Sequence, residues 1–97
     1  MFRFKYTSLA RQCLHGFRRF EQVMIIKAIE DQLAVEPEVE ARNRKRLRPN
    51  RLSEFELRVA HCRVFYDVNL AEQSVTVKAV GEKERSRLLI LGEEYTL

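Results

Sequence analysis

Large apolar and polar residues alternate along Phe2-Arg-Phe-Lys-Tyr6, the period of a strand with one buried face. Thr7 or Ser8 can then cap a short helix, SLARQCLH (8–15), which Gly16 would end. A longer helix is predicted from Phe17 to Leu33, ahead of Pro37. At about 100° per residue, Phe17, Phe20, Met24 and Ala28 fall together, and Ile25, Ile26, Ile29 and Leu33 fall on the adjoining sector. An arc this wide can touch a sheet on one side and the neighbouring helix on the other. A partner protein could also cover part of it, although intramolecular core is the preferred reading.

The periodicity stops from Glu36 to Arg51, where Pro37 and Pro49 indicate an exposed connection. It resumes with Phe55, Leu57 and Val59 alternating with Glu54, Glu56 and Arg58. A tight turn at Ala60-His61 should reverse the chain into Cys62–Val68, opposing Arg58 to Arg63, Leu57 to Val64 and Phe55 to Tyr66. One face is then apolar, and the other presents Glu54, Glu56, Arg58, Arg63, Phe65 and Asp67. A second hairpin through 69–73 leads to Val75–Val80, and Glu82–Leu91 is expected to form a short final helix. The predicted class is α+β: a small antiparallel sheet, a meander of three strands plus the N-terminal strand, packed by an N-terminal helix pair, with a short C-terminal helix.

A chain of 97 residues, 45% hydrophobic and 33% charged, suits one domain over 1–97 with a modest core. No stretch approaches the roughly 20 apolar residues of a membrane helix, and Met1–Tyr6 lacks the apolar centre of a secretion signal. A cytoplasmic location with no membrane partner is expected. Cys13 and Cys62 lie far apart without C-x-x-C spacing, and Cys13-x-His15 with His61-Cys62 has no usual zinc spacing. Reduced packing cysteines, no metal and no cofactor are therefore expected.

Charge changes the picture more. The run Arg42–Arg51 (RNRKRLRPNR) carries Arg42, Arg44, Lys45, Arg46, Arg48 and Arg51 and no acid, whereas the whole chain sums to only +4. The remainder is net negative, so all of the positive excess sits in one segment beside the predicted sheet. Such a segment suits a polyanion, because each neutralised phosphate releases condensed counterions. The plain alternative is a solvated loop.

The order of elements, the stretch Leu57-Arg-Val-x-x-Cys-Arg-Val-Phe-Tyr-Asp-Val68 and the sequence Val80-Gly-Glu-Lys-Glu-Arg-Ser86 together resemble the RelE/ParE superfamily of toxin–antitoxin toxins. For RelE-type members the resemblance implies a ribosome-dependent endoribonuclease, an mRNA interferase that inhibits translation, with a cognate antitoxin that wraps it. ParE-type members share the fold and poison DNA gyrase, so the fold leaves the target open. A non-catalytic member that binds RNA or protein is a further alternative, and the sequence leaves a homo-oligomer open.

Metal-free RNA cleavage needs a proton acceptor for the 2′-hydroxyl, a donor for the leaving oxygen, and cations for the developing charge. By the resemblance, Arg63 falls on the transition-state arginine, Lys83 on a second catalytic basic residue, and Arg85 follows it. The departures lie at Glu54 and Glu56, where RelE-type sites carry lysines, and at Leu89, where they carry an aromatic residue. Glu56 could act as a general base in a Glu56–Arg63–His61 set. The alternative for Arg63 is a cross-strand ion pair with Glu56. Arg58 would join the phosphate site, with Arg42–Arg51 steering RNA to it; Tyr95 is the nearest aromatic replacement for the Leu89 position.

Overall fold

The N-terminal alternation builds strand β1, Arg3–Tyr6, in the computed structural model, which describes residues 1–97. Thr7 caps helix α1, Ser8–His15: its Oγ1 accepts from the Ala10 N–H at 3.1 Å and donates to the Lys78 carbonyl at 2.9 Å. That hydroxyl both starts the helix and pins it to the sheet, satisfying a donor the first turn would leave orphaned. Helix α2, Arg19–Leu33, begins two residues later than the apolar pattern suggests, with Glu21 Oε1 accepting from the Arg18 N–H. Ile25, Ile29 and Leu33 are fully buried, and Met24, Ile26 and Ala28 partly so. Phe20 on the other sector is 65% exposed, so the arc is only in part intramolecular core.

The remaining strands are β2 (Arg44–Arg46), β3 (Phe55–Val59), β4 (Cys62–Asn69), β5 (Ser74–Glu84), β6 (Arg87–Ile90) and β7 (Glu93–Glu94). They run in spatial order β2-β3-β4-β5-β6-β7, every neighbour antiparallel, while β1 lies parallel against the first part of β5. The predicted register of β3 on β4 is the observed one, Phe55 opposite Tyr66, Leu57 opposite Val64 and Arg58 opposite Arg63. The N-terminal strand joins the sheet in parallel, since α1 and α2 with their connections carry the chain back to the start of the meander.

Two predicted elements differ. The expected helix over 82–91 does not form: β5 runs on to Glu84, the chain turns at Arg85-Ser86 with Arg85 at φ +60°, and β6 pairs back, Lys83 opposite Leu88 and Glu84 opposite Arg87. Leu88 and Ile90 are buried and Arg87 exposed, the strand period rather than the helical one. The connection 36–51 is not wholly irregular either, because Arg44–Arg46 adds an edge strand to β3. Its outward side is occupied by the chain's own preceding turn: Ala41 and Arg44 bond each other's backbone, and the Arg46 N–H donates to Glu40 Oε2.

The sheet separates two environments. Leu57, Val64, Tyr66, Val77 and Val80 are fully or almost fully buried in the main core, with Phe55 stacked on Tyr66 at 5.3 Å between ring centroids. The Tyr66 hydroxyl donates to the Pro37 carbonyl at 2.8 Å and fastens the segment after α2 to the sheet. Phe65, expected on the polar face, is fully buried there with its partner Ala79. No helix is long and apolar enough to cross a membrane.

Candidate functional site

The strand register gathers charge on the second face. Lys45 on β2 lies opposite Glu56 on β3, Arg58 lies opposite Arg63 on β4, and Lys83 projects near the end of β5. All five line one cleft of about 410 Å³, whose wall also includes Tyr95, Leu88 and Leu97. Tyr95 is held there by its backbone N–H, which donates to the Leu88 carbonyl at 2.9 Å, and its ring packs partly on the core.

The electrostatics are unbalanced. Lys45, Arg58, Arg63 and Lys83 have no carboxylate within 4.0 Å, although Glu56 and Glu94 line the same cleft. Like charges directly opposite on a sheet, as with Arg58 and Arg63, are destabilising unless an anion lies between them. Arg63 is fixed rather than free: its Nη1 donates to the carbonyls of Ala60 at 3.0 Å and Cys62 at 2.9 Å, which leaves Nη2 and Nε available. The hairpin turn therefore aims the guanidinium. Glu56 is half-buried, has no hydrogen-bond partner in the protein, and does not form the cross-strand ion pair with Arg63.

Other predicted positions are not brought there. Arg85 sits at the tip of the β5–β6 turn, outside the cleft that holds Lys83, because the expected helix is a hairpin. His61 turns away from Glu56 to meet Glu21 of α2, Nε2 to Oε2 3.4 Å, so the Glu56–Arg63–His61 set is not assembled. Glu54 lines a different cleft with Asp67 and Lys78, and its backbone N–H donates to Asp67 Oδ1. Cys13 and Cys62 are both buried free thiols. Burial, reinforced by Glu21 and Glu82, pushes the Cys62 thiol up to about 11. No group of three or more His, Cys, Asp and Glu side chains is arranged to hold a metal.

The basic run divides by strand geometry. Arg44 Nη1 donates to the Gln32 carbonyl in the last turn of α2 at 2.6 Å, where a cation also complements the helix dipole. Arg46 lies over the Phe55 ring, 4.5 Å from its centroid. These two are structural in part, whereas Lys45 faces the cleft and Arg42, Arg48 and Arg51 are exposed. The sequence reading missed Lys45 as a cleft residue and left the reach of Tyr95 open. Arg87-Leu88-Leu89-Ile90 is one cation followed by an apolar run, so the sequence carries no period-two signal that the tail folds back as strand.

No protein-family model matches the sequence, and no curated protein sequence matches it. Among solved structures, the fold is similar to a chain of the toxin–antitoxin complex RelBE2 from Mycobacterium tuberculosis, with 22% identity, a TM-score of 0.73, and 84% of this chain and 91% of that chain covered. It is also similar to a chain of the archaeal RelE–RelB complex from Pyrococcus horikoshii OT3, with 17% identity, a TM-score of 0.69, and coverage of 88% and 98%. With two helices on a predominantly antiparallel sheet and near-complete mutual coverage, this chain has the RelE-like α+β fold.

Proposed function

We propose that this protein is the toxin of a toxin–antitoxin pair and inhibits translation by cutting messenger RNA on the ribosome without a metal. The observation that carries this reading is the cleft of four cations, Lys45, Arg58, Arg63 and Lys83, none paired to a carboxylate. Unpaired cations on a rigid sheet are placed to receive a phosphodiester and the charge that grows on it. The Glu56 carboxylate takes the proton of the ribose 2′-hydroxyl as that oxygen attacks the adjacent phosphorus. The bond to the 5′-oxygen then breaks, leaving a 2′,3′-cyclic phosphate, and the departing oxygen takes a proton from Lys83 or Tyr95. Tyr95 also offers an aromatic face on which a base can stack. The fold's solved relatives are toxin–antitoxin complexes, which supports a cognate antitoxin as partner.

Arg63→Ala should cost activity on the order of 3 kcal/mol, a hundredfold or more in cleavage rate. The melting temperature should fall only by a few degrees, the two lost hydrogen bonds to the Ala60 and Cys62 carbonyls being offset in part by relief of the repulsion with Arg58. Growth after induction, translation of a reporter and mapping of RNA ends read this out. Equal inhibition by wild type and variant would remove the cleft from the mechanism, and inhibition of gyrase with intact translation would move the protein to the ParE side. Glu56 among the cations favours a second reading, a non-catalytic RNA binder. Under that reading Glu56→Gln tightens RNA binding with no cleavage to lose, whereas a general base loses cleavage while binding persists.

A further inference from the structure

The cleft does not end at Lys45. Segment 45–50 forms the wall between it and a second cleft of about 430 Å³, lined by Arg46, Arg48, Arg51, Lys78, Glu54 and Asp67. A third depression of about 430 Å³ over Lys45, Leu47, Arg48 and Pro49 lies between the two, sharing Lys45 and Leu47 with the first and Leu47, Arg48 and Pro49 with the second. The loop that carries this track is built, because the Asn50 side chain accepts from the N–H groups of Leu52 and Ser53 and donates to the carbonyls of Arg48 and Ser53. Arg48 and Arg51 are exposed and make no side-chain hydrogen bond or ion pair in the protein. Lys78 is tied to Asp67 at 3.7 Å, and Arg46 is drawn over Phe55, so the uncommitted cations of the outer cleft are Arg48 and Arg51. They outnumber its one unpaired acid, Glu54, whose carboxylate accepts only from the Val68 N–H.

We infer that the outer cleft is an extended binding subsite for the backbone of single-stranded RNA, continuing the strand whose scissile phosphate lies between Arg58 and Arg63. The inference rests on the RNA-directed reading above and adds to it where the rest of the strand goes. Arg48 and Arg51 supply two unpaired guanidiniums suited to phosphate, and the outer cleft has no aromatic side chain in its lining on which a base could stack. Recognition there is of phosphate rather than base, so it is sequence-neutral and salt-dependent. The inner cleft alone supplies the aromatic ring, Tyr95. Contacts near the scissile bond therefore differ in kind from contacts along the flank.

Binding of 2′-O-methyl RNA, which cannot be cut because the attacking hydroxyl is blocked, tests this by fluorescence anisotropy over a salt series. The probes are a trinucleotide and an oligomer of about 12 nucleotides, and the proteins are wild type, Arg48→Gln/Arg51→Gln and Arg63→Ala. Wild type should bind the longer probe more tightly. The double variant should weaken that binding and lower its salt slope by about 1.4, two phosphate contacts at about 0.7 each for a single strand, while leaving trinucleotide binding unchanged. Arg63→Ala should weaken both probes. An unchanged slope in the double variant, or equal affinity of wild type for both probes, overturns the outer subsite while leaving the inner cleft standing. Loss of ribosome binding in the double variant with oligomer binding intact assigns Arg48 and Arg51 to ribosomal RNA and also overturns it. Absence of wild-type binding to either probe overturns instead the RNA-directed reading beneath it.

Discussion

Tyr66→Phe isolates one buried hydrogen bond. Tyr66 is fully buried, its hydroxyl donates to the Pro37 carbonyl at 2.8 Å, and Pro37 is itself almost wholly buried. The substitution keeps the ring and its stack on Phe55 while stranding a carbonyl that has no other partner in the protein. A buried polar group left without a partner costs about 2 kcal/mol, which in a domain of this size lowers the melting temperature by roughly 10 °C. Burial also pushes the Tyr66 phenol from 10.0 to about 12, with nearby Glu38 adding to the rise and Arg44 opposing it. A raised folded-state value means that the stabilisation is complete below pH 10.0 and is lost as the pH climbs towards 12. Circular dichroism melts across that window should therefore show an alkaline decline in wild type that is shallower in Tyr66→Phe, the raised Tyr6 phenol and the raised Cys13 and Cys62 thiols keeping the remainder. A variant that melts within a degree or so of wild type at neutral pH would refute the claim that this bond anchors the connection after α2.

Ala60 holds φ +53° in the turn that aims Arg63, so Ala60→Gly should stabilise by about 0.5 kcal/mol in urea titration, the relieved left-handed strain slightly exceeding the extra freedom of the unfolded chain. Lower stability would mean that the turn is not strained. A Cβ on Gly81 would stand 2.6 Å from the Leu89 carbonyl oxygen, so Gly81→Ala should destabilise by about 2 kcal/mol, and a wild-type melt would show that β6 can retreat at no cost. Both cysteines are buried with their thiols pushed up, so labelling by a thiol reagent should be slow in the native protein, faster towards pH 11, and rapid after unfolding. Rapid native labelling at neutral pH would contradict that environment.

Much of the scaffold is written in period-two and period-3.6 patterns. The β3–β4 register follows from which residues must be buried, and a slip of one residue would send Leu57 and Val64 to the charged face. The same register sets Glu56, Arg58 and Arg63 on one face of the β3–β4 hairpin. What failed had a competing local signal. Glu82–Arg87 is rich in good helix formers, yet the strand continues because β6 can pair with it and bury Leu88 and Ile90. The cleft's remaining members depend on contacts distant in sequence. Lys45 belongs to a three-residue strand whose pattern is masked by cations on both faces, and Tyr95 reaches the site only because β6 folds back. His61 could have been assigned to either side of its turn, and Glu21, far away in the chain, decides it.

The turn preceding β2 has a consequence for how this molecule associates. An edge strand offers unsatisfied N–H and C=O groups to any other chain in extended conformation, and natural proteins blunt such edges with charge or with their own loops. Here both devices coincide: the outward N–H groups of Arg44 and Arg46 are taken by Ala41 and Glu40, and Arg44, Lys45 and Arg46 repel a second copy. A newly made chain can thus expose a highly basic border without templating stacks of itself. Any protein that captures this one must displace the 40–41 turn before adding a strand at β2, or approach by another surface.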